Sequence, residues 1–528
     1  MIQYRKIPPE QRRKKFSYTY AMPLLSGLGI AALLSGILAV FQDGNGWRGA
    51  LAFFVVLAPG WLILEHLSAS EKSALLRRLL LASFLLRLAL GLGLYLGLSR
   101  YGYPNEQERA GYLFTDAYRR DQQAWELAQS NRPLTDAFQQ RFYADQYGGL
   151  LALSAALYRF LSPDAHRPLL IVGLGAWIGA LGIYFFWKSA QKLLSPAAAR
   201  NATWLFAFYP EMLLLSASQM REPFLITFGT MLLFALLQYQ EKKHISARIL
   251  AGSLAGLLLI SPGTALAFGI ALGFWLWLES GRYLSPRVWL IVGLMTLLGM
   301  FLFSLSVAGI SVEKGHVLEV LGEWSRLAVR WSAYQLERSS GWVQKLFRET
   351  PPAFQIPFII GYGYLQPVLP GAFIEPSIPI RKAISILRAT AWYALLPLLI
   401  FAFRAVWKAP ATERKRWLAF LVITWVWMTI ASLRGGGDQW DTPRYRLFFL
   451  TFQAMLATYA WERRDVWWPR LLWIEGFSLA VFFQWYLSRY YHIGGRLPFF
   501  TMIGIIFAFA ILIISGSLLW DRMRKKAG

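Results

Sequence analysis

Arg167-Pro-Leu-Leu-Ile-Val-Gly-Leu-Gly-Ala-Trp-Ile-Gly-Ala-Leu-Gly-Ile-Tyr-Phe-Phe-Trp187 carries no charge after its first residue. A run of this kind approaches the ~20 apolar residues that a helix needs to cross a bilayer. Outward along the chain the same reading applies to Ala21–Phe41, Trp47–Leu67 and Val288–Val307. Composition agrees: of 528 residues, 56% belong to the set AVILMFWYC and only 16% are charged, where a soluble chain carries roughly a quarter. A soluble enzyme is excluded, and an all-α polytopic membrane protein is expected. The chain has no cysteine, so disulfides, thiolate zinc sites, iron–sulfur clusters and cysteine nucleophiles are excluded as well. Its chemistry must use oxygen and nitrogen groups.

Lys and Arg number 54 against 29 Asp and Glu, a net charge of +25. In a polytopic chain such an excess reads first as the positive-inside bias rather than as a nucleic-acid surface. Basic clusters do fall on alternate loops, among them Arg12/Arg13/Lys14/Lys15, Lys72/Arg77/Arg78, Lys188/Lys192/Arg200, Arg414/Lys415/Arg416 and Arg522/Arg524/Lys525/Lys526. All are placed in the cytoplasm. The basic start runs into an ordinary span with no small-residue cleavage pattern, so it reads as a retained first helix. With both termini cytoplasmic the number of crossings is even, and about fourteen satisfy hydropathy and charge together.

One short segment decides that count. Tyr147–Phe160 is apolar, but at ~14 residues it has the length of a re-entrant or interfacial helix. Counting it as a span would put Lys188, Lys192 and Arg200 outside, so it is left on the outer face. Pro262 splits Ile249–Leu278 into two short helices joined by an outer Ser-Pro-Gly turn. The resulting order is a basic N-terminus (1–16), three spans (17–98), a first outer loop (99–166), spans four to nine (167–310), a second outer loop (311–381), spans ten to fourteen (382–520) and a basic C-terminus (521–528). The plasma (inner) membrane is the expected location.

Loops as long as the two outer ones are uncommon unless functional or folded. In the first, Arg119–Gln129 fits a short amphipathic helix. In the second, Val317–Arg338 has the apolar spacing of a helix lying along the membrane surface. After it, Pro351, Pro352, Pro357, Pro367, Pro370, Pro376 and Pro379 argue against regular structure. Tyr362 and Tyr364 suit an interfacial segment.

Three polar patches are candidates for chemistry. Tyr112–Ala128 contains Asp116, Tyr118, Arg119, Arg120 and Asp121 just outside the third span. An aspartate there can act as a base toward a hydroxyl or as a metal ligand. On a continuous helix the two aspartates are splayed by about 140°, so only one can face a given cleft. The second patch, Tyr209–Pro223, brings Glu211, Arg221 and Glu222 to the same side. Ionisable groups beside a hydrophobic hairpin are costly, although Glu222-Pro223 also matches a helix start. The third, Arg434–Arg446, holds Asp438, Asp441, Arg444, Tyr445 and Arg446. Arginines on an outer loop oppose the positive-inside bias, and a phosphate bound by guanidinium would keep them there. Arg444 and Arg446 are expected at the start of a helix, where its dipole would add to their charge. Arg87, inside the third span, reads as a buried helix-to-helix partner.

An Asp in the first large outer loop, an apolar segment after it, Ser218-x-x-Arg221-Glu222, and a late Asp441-x-Pro-Arg-Tyr-Arg446 opening a span together resemble the GT-C superfamily of integral-membrane glycosyltransferases. The bacterial relatives of the protein O-mannosyltransferases and the aminoarabinose lipid A transferases are similar in pattern. The resemblance implies a GT-C-like helical bundle and transfer of a sugar, with inversion, from a polyprenyl-phosphate donor to an extracytoplasmic glycan, lipid or protein acceptor. It implies Asp116 or Asp121 as the catalytic acidic group and Glu222 as its partner. Arg444, supported by Arg446, Arg221 and Tyr445, would meet the lipid phosphate. Tyr118, Arg119, Arg120 and Asp441 would line the substrate pocket. A divalent cation, Mg or Mn, would fall to Asp116, Asp121 and Glu222, though the second outer turn lacks an Asp-x-Asp. Membrane lipids are expected partners and nucleic acid is not. The rival readings are an O-antigen-type polysaccharide polymerase or ligase, with a diphosphate leaving group, and a lipid-linked saccharide flippase or transporter. A transporter would place its charges near the bilayer midplane and show related halves.

Overall fold

A computed structural model describes residues 9–71, 73–139, 142, 145, 147–242, 246–280 and 350–527. Among the described residues all regular structure is helical. Among the described residues nine helices are long and apolar enough to cross a membrane: Gly46–Ser70 (α2), Ala74–Tyr101 (α3), Leu169–Leu193 (α7), Glu222–Lys242 (α10), Pro262–Ser280 (α12), Pro379–Trp407 (α15), Ala411–Gly435 (α16), Trp467–Tyr490 (α19) and Phe499–Ala527 (α20). They are preceded by Pro9–Val40 (α1). Val288–Val307 and Val317–Arg338 lie outside the described residues.

The fourteen-crossing expectation meets these nine helices at several broken segments. The expected fifth span divides into Pro196–Phe208 (α8) and Pro210–Ser216 (α9). Pro210 forces the preceding Tyr209 into extended backbone, φ −60° and ψ 120°. The expected twelfth span shortens to Leu450–Glu462 (α18), preceded by the short helix Asp441–Arg446 (α17) and a 3₁₀ turn. Pro262 does split its segment, and Ala247–Ile260 (α11) precedes α12. In the first loop, Thr115–Gln129 (α5) includes the expected amphipathic helix, and Tyr147–Phe160 becomes the 13-residue helix Gly149–Leu161 (α6).

The proline-rich segment departs from expectation, because it is helical. Pro352–Leu365 (α13) and Leu369–Ile374 (α14) precede α15. Pro352, Pro370 and Pro379 sit in first turns, where a missing N–H costs nothing. Pro367 and Pro376 fall in the connections. Pro351 caps α13 and Pro357 lies inside it; the other prolines punctuate helices instead of preventing them.

The chain divides into two compact units. The first comprises residues 1–100, 104–189 and 212–265, the second 101–103, 190–211 and 266–528. Within the first unit, Gly60 on α2 lies under the Trp177 ring of α7, where an added Cβ would come within 2.4 Å of Cγ. Small residues allow such close approach between apolar helices. Arg87 is fully buried on α3; it donates to the Ser83 carbonyl at 3.1 Å and faces Gly179 of α7. Just ahead of α7 the buried Arg167 holds Asp164 through two bonds of 2.9 and 2.8 Å and reaches the Asn45 carbonyl at 2.9 Å. The Asn45 N–H returns a bond to Asp164 Oδ2 at 2.9 Å. This clamp ties the α1–α2 turn to the chain that carries His166.

Within the second unit, α18 is buried from Leu450 to Ala460 and packs against α8 and α15. By contrast α20 exposes Phe507, Ile511, Leu512 and Leu519. A soluble monomer rarely leaves so continuous an apolar face in water, whereas lipid accepts it without cost.

The Arg167 guanidinium, with the Asn45 N–H, holds the Asp164 carboxyl below the usual carboxylate range. A depressed folded-state value stabilises above the unfolded value, about 3.8, and that stabilisation is lost as pH falls. Asp164→Asn should therefore lower the unfolding temperature of detergent-solubilised protein at pH 7, with the gap to wild type closing below about pH 4; thermal unfolding across pH measures this.

Candidate active site

In the first unit the site grows from α5. Residues five apart on one helix cannot share a face, and here they do not: Asp116 is exposed, while Asp121 is only 2% exposed. Three donors surround the Asp121 carboxylate. Tyr112 Oη donates to Oδ2, Tyr158 Oη on α6 donates to Oδ1 at 2.5 Å, and His166 Nε2 lies 2.8 Å from Oδ2. Burial, and then the neighbouring carboxylate, push the Tyr112 phenol well above its ordinary value, so it stays a donor.

Trp125, one turn beyond Asp121, stacks on the His166 ring with centroids 5.2 Å apart, and the edge of Tyr158 meets the same ring at 5.0 Å. The imidazole is thus held from two sides. Nε2 faces the carboxylate; a neutral imidazole that donates from Nε2 has Nδ1 as its acceptor. With a side chain 20% exposed, His166 is the member of the group that reaches solvent. An Asp–His pair of this kind accepts a proton and keeps the resulting imidazolium beside a negative charge.

Of the second patch, Arg221 and Glu222 belong to the same unit, and Glu211 belongs to the second. Arg120, almost fully buried, donates to the Gln219 carbonyl. Gln219 has φ +55°, a left-handed conformation uncommon outside glycine, in the turn that delivers Arg221 and Glu222. Glu222 opens α10 and is fully buried. Arg221 lies 4.0 Å from Asp145 and 5.6 Å over the Tyr147 ring. The other Asp145 oxygen accepts the Leu151 N–H at 3.0 Å in the first turn of α6. Tyr118 packs edge-on against Tyr112, and Arg119 is exposed.

In the second unit the Gly435–Gly437 turn has a geometric reason. A Cβ on Gly435 would come 2.4 Å from Thr442 Oγ1, and Gly437, at φ +75°, would come 2.5 Å from the Tyr362 ring. Asp438 accepts the N–H groups of Trp440 and Asp441 at 2.6 and 2.7 Å. Arg444 and Arg446 stand in the last turn of α17, so the expectation that they open a helix is corrected: the Asp438 turn takes that place. Arg444 donates to Tyr445 Oη at 2.9 Å and lies 3.3 Å from Asp441. The guanidiniums of Arg434 and Arg444 lie 4.7 and 4.8 Å from the Tyr445 ring centre.

Arg446 is turned to structural work. It lies over Trp392 at 3.3 Å and donates to the Gln366 carbonyl at 2.8 Å. Burial lowers its pKa to about 10. Nearby, Arg388 grips Glu211 through two bonds of 2.5 and 2.9 Å, donates to the Gln439 carbonyl at 3.1 Å and lies 4.2 Å over Trp440. A separate apolar cavity of about 390 Å³ in this unit is lined by residues including Phe358, Leu365, Leu396, Ile474, Phe482 and Phe499.

Among the described residues no cluster of three His, Asp or Glu forms a metal-ligand set. Asp116, Asp121 and Glu222 do not fit one: both Asp121 oxygens already take hydrogen bonds, and Asp116 is on the opposite face of α5.

His166, Tyr158, Asp145 and Arg388 were not singled out as site residues from sequence. His166 lies 45 positions from Asp121 and Arg388 lies 177 from Glu211. Pairings so distant leave no local periodicity. Asp145, a few residues ahead of an apolar helix, is the one that carried a readable signal, that of a helix N-terminus.

No protein-family model matches the chain, and no curated protein is similar to it in sequence. Among solved structures it is similar to the oligosaccharyltransferase AglB of Archaeoglobus fulgidus, in complex with an inhibitory peptide and a dolichol-phosphate: TM-score 0.38, 14% identity, over 84% of this chain and 55% of that one. The apo form of the A. fulgidus oligosaccharyltransferase gives TM-score 0.38 and 14% identity over 83% and 55%. The chain spans about half the length of these proteins.

Breaking a buried ion pair by removing one partner costs ~3–5 kcal/mol, while replacing both by apolar groups is near neutral. Arg388→Met or Glu211→Leu alone should therefore strongly reduce the yield of folded protein, and the double variant should recover most of it, as read by size-exclusion profile and unfolding temperature.

Proposed function

We propose that the chain is a membrane-embedded glycosyltransferase that moves a sugar from a polyprenyl-phosphate donor to a hydroxyl acceptor on the extracytoplasmic face. The observation that carries this reading is the buried Asp121 carboxylate, held by two phenols and an imidazole in a loop between apolar helices. A buried charge is costly, and a histidine fixed against it is a group able to accept a proton from a hydroxyl. Asp121 is thus chosen over Asp116, and its role is to orient His166.

In the reaction, His166 Nδ1 takes the proton of the acceptor hydroxyl. The oxygen attacks the anomeric carbon, the carbon–oxygen bond to phosphate breaks, and polyprenyl phosphate leaves. Attack from the face opposite the leaving group inverts the anomeric centre. Charge that builds on the departing phosphate calls for guanidinium; taken by itself, the second unit's Arg444 beside the Tyr445 hydroxyl is a pair suited to a lipid phosphate. Arg446 acts from behind, holding α17 in place. Arg221 and Glu222 support the Asp121 loop through the turn that Arg120 grips. The apolar 390 Å³ cavity is suited to an isoprenoid segment.

Purified protein given polyprenyl-phosphate sugar and an acceptor should release polyprenyl phosphate. General-base catalysis contributes ~10²–10⁴-fold, so Asp121→Asn and His166→Gln should slow release by at least about 100-fold, while Asp116→Asn stays within about threefold of wild type. Full activity in Asp121→Asn would overturn the reading, and an inert monophosphate donor with release of polyprenyl diphosphate from a polyprenyl-diphosphate-linked sugar would favour the polymerase or ligase.

A further inference from the structure

A second cavity in the same unit as Arg444 is of opposite chemistry to the apolar one. It has a volume of about 350 Å³ and is lined by Arg381, Lys382 and Ser385 from the first two turns of α15, Ser377 just before them, Trp440 from the α16–α17 turn, and Tyr103. None of these residues belongs to the Asp121 centre or to the Arg444–Tyr445 pair.

Several features give this cavity the character of a binding site. Arg381 is fixed in place, its guanidinium 4.9 Å from the centre of the Trp440 ring. Stacking on an aromatic ring holds a planar guanidinium in a fixed orientation, and guanidinium is the side-chain group that matches oxyanion geometry. Trp440 is itself braced, because Arg388 lies over it at 4.2 Å while bound to Glu211. Lys382 donates to the Glu375 backbone carbonyl at 2.6 Å, which leaves two further ammonium protons for the cavity. Glu375 also lines the cavity, so two cations, Arg381 and Lys382, face one carboxylate and cationic character prevails. Hydroxyls complete the lining, with Tyr103 Oη 3.4 Å from Ser377 Oγ. Groups able both to give and to accept hydrogen bonds suit a ligand rich in hydroxyls.

We propose that this cavity binds an anionic carbohydrate, a sugar that carries a phosphate or carboxylate group. Arg381 and Lys382 take the anion, and Ser377, Ser385 and Tyr103 take the ring hydroxyls. The volume lies at the small end of ligand pockets, ~300–1,000 Å³, which fits one or two sugar units and not a long glycan. The site stands on its own residues and does not depend on the transferase reading.

The test is isothermal titration of full-length protein in detergent with glucose 1-phosphate, galacturonate, glucose and inorganic phosphate. Saturable binding of at least one anionic sugar is expected, with glucose and inorganic phosphate each at least about tenfold weaker and affinity falling as salt rises. Preference for glucose 1-phosphate over galacturonate, or the reverse, identifies which anion the site takes. Arg381→Gln should weaken that binding about tenfold or more with the unfolding temperature unchanged. Absence of binding by either anionic sugar, equal binding of glucose, or inorganic phosphate binding as tightly as the sugars would overturn the proposal. These comparisons need only the wild-type protein, so they hold even if Arg381→Gln fails to fold.

Discussion

A carboxylate removed from water among apolar helices is the constraint on which the rest of the first unit depends. Left without partners, Asp121 would either pull water into the bundle or take up a proton. The surrounding chain supplies donors from three separate places: Tyr112 before α5, Tyr158 on α6 and His166 ahead of α7. Satisfying one charge therefore fixes the relative placement of two helices and a loop. The Arg167–Asp164–Asn45 clamp and the Arg120 bond to the Gln219 carbonyl extend the same network toward α2 and α10. In an apolar surrounding such polar contacts carry geometric information that packing alone lacks.

The second unit solves a related problem with cations. Its buried guanidiniums are kept over aromatic rings, Arg446 on Trp392 and Arg388 on Trp440, and their forks are closed by Glu211 or by backbone carbonyls. This division leaves Arg388 and Arg446 as struts. Arg444 is bonded to the Tyr445 hydroxyl on α17, and Arg381 is stacked on Trp440 at the start of α15. The two cavities of the unit differ accordingly, one apolar along α13, α15, α19 and α20, the other polar at the start of α15.

Much of this was legible wherever the signal was local. Arg167–Trp187 forms most of α7, Pro262 breaks its segment, Glu222-Pro223 opens α10, and Arg119–Gln129 lies within α5. Helical geometry alone required Asp116 and Asp121 to part company, but it left open which would be buried, because that depends on Tyr158 and His166 in later segments. The prolines between 351 and 379 misled for a physical reason: a proline at the first turn and one in the interior of a helix are the same letter, and only the position of the start separates them. Likewise the Gly435–Gly437 turn is crowded by Thr442 and Tyr362, contacts that no local pattern announces.

The central claim is that Asp121 sets the protonation geometry of His166. Only five histidines occur in the chain, so nitrogen NMR of protein labelled with ¹⁵N-histidine, assigned with His166→Gln, reads it directly. The account predicts His166 as the Nε2–H tautomer with a bare Nδ1, and loss of that signature in Asp121→Asn. A proton on Nδ1 at neutral pH, or a His166 signal indifferent to Asp121→Asn, would contradict it.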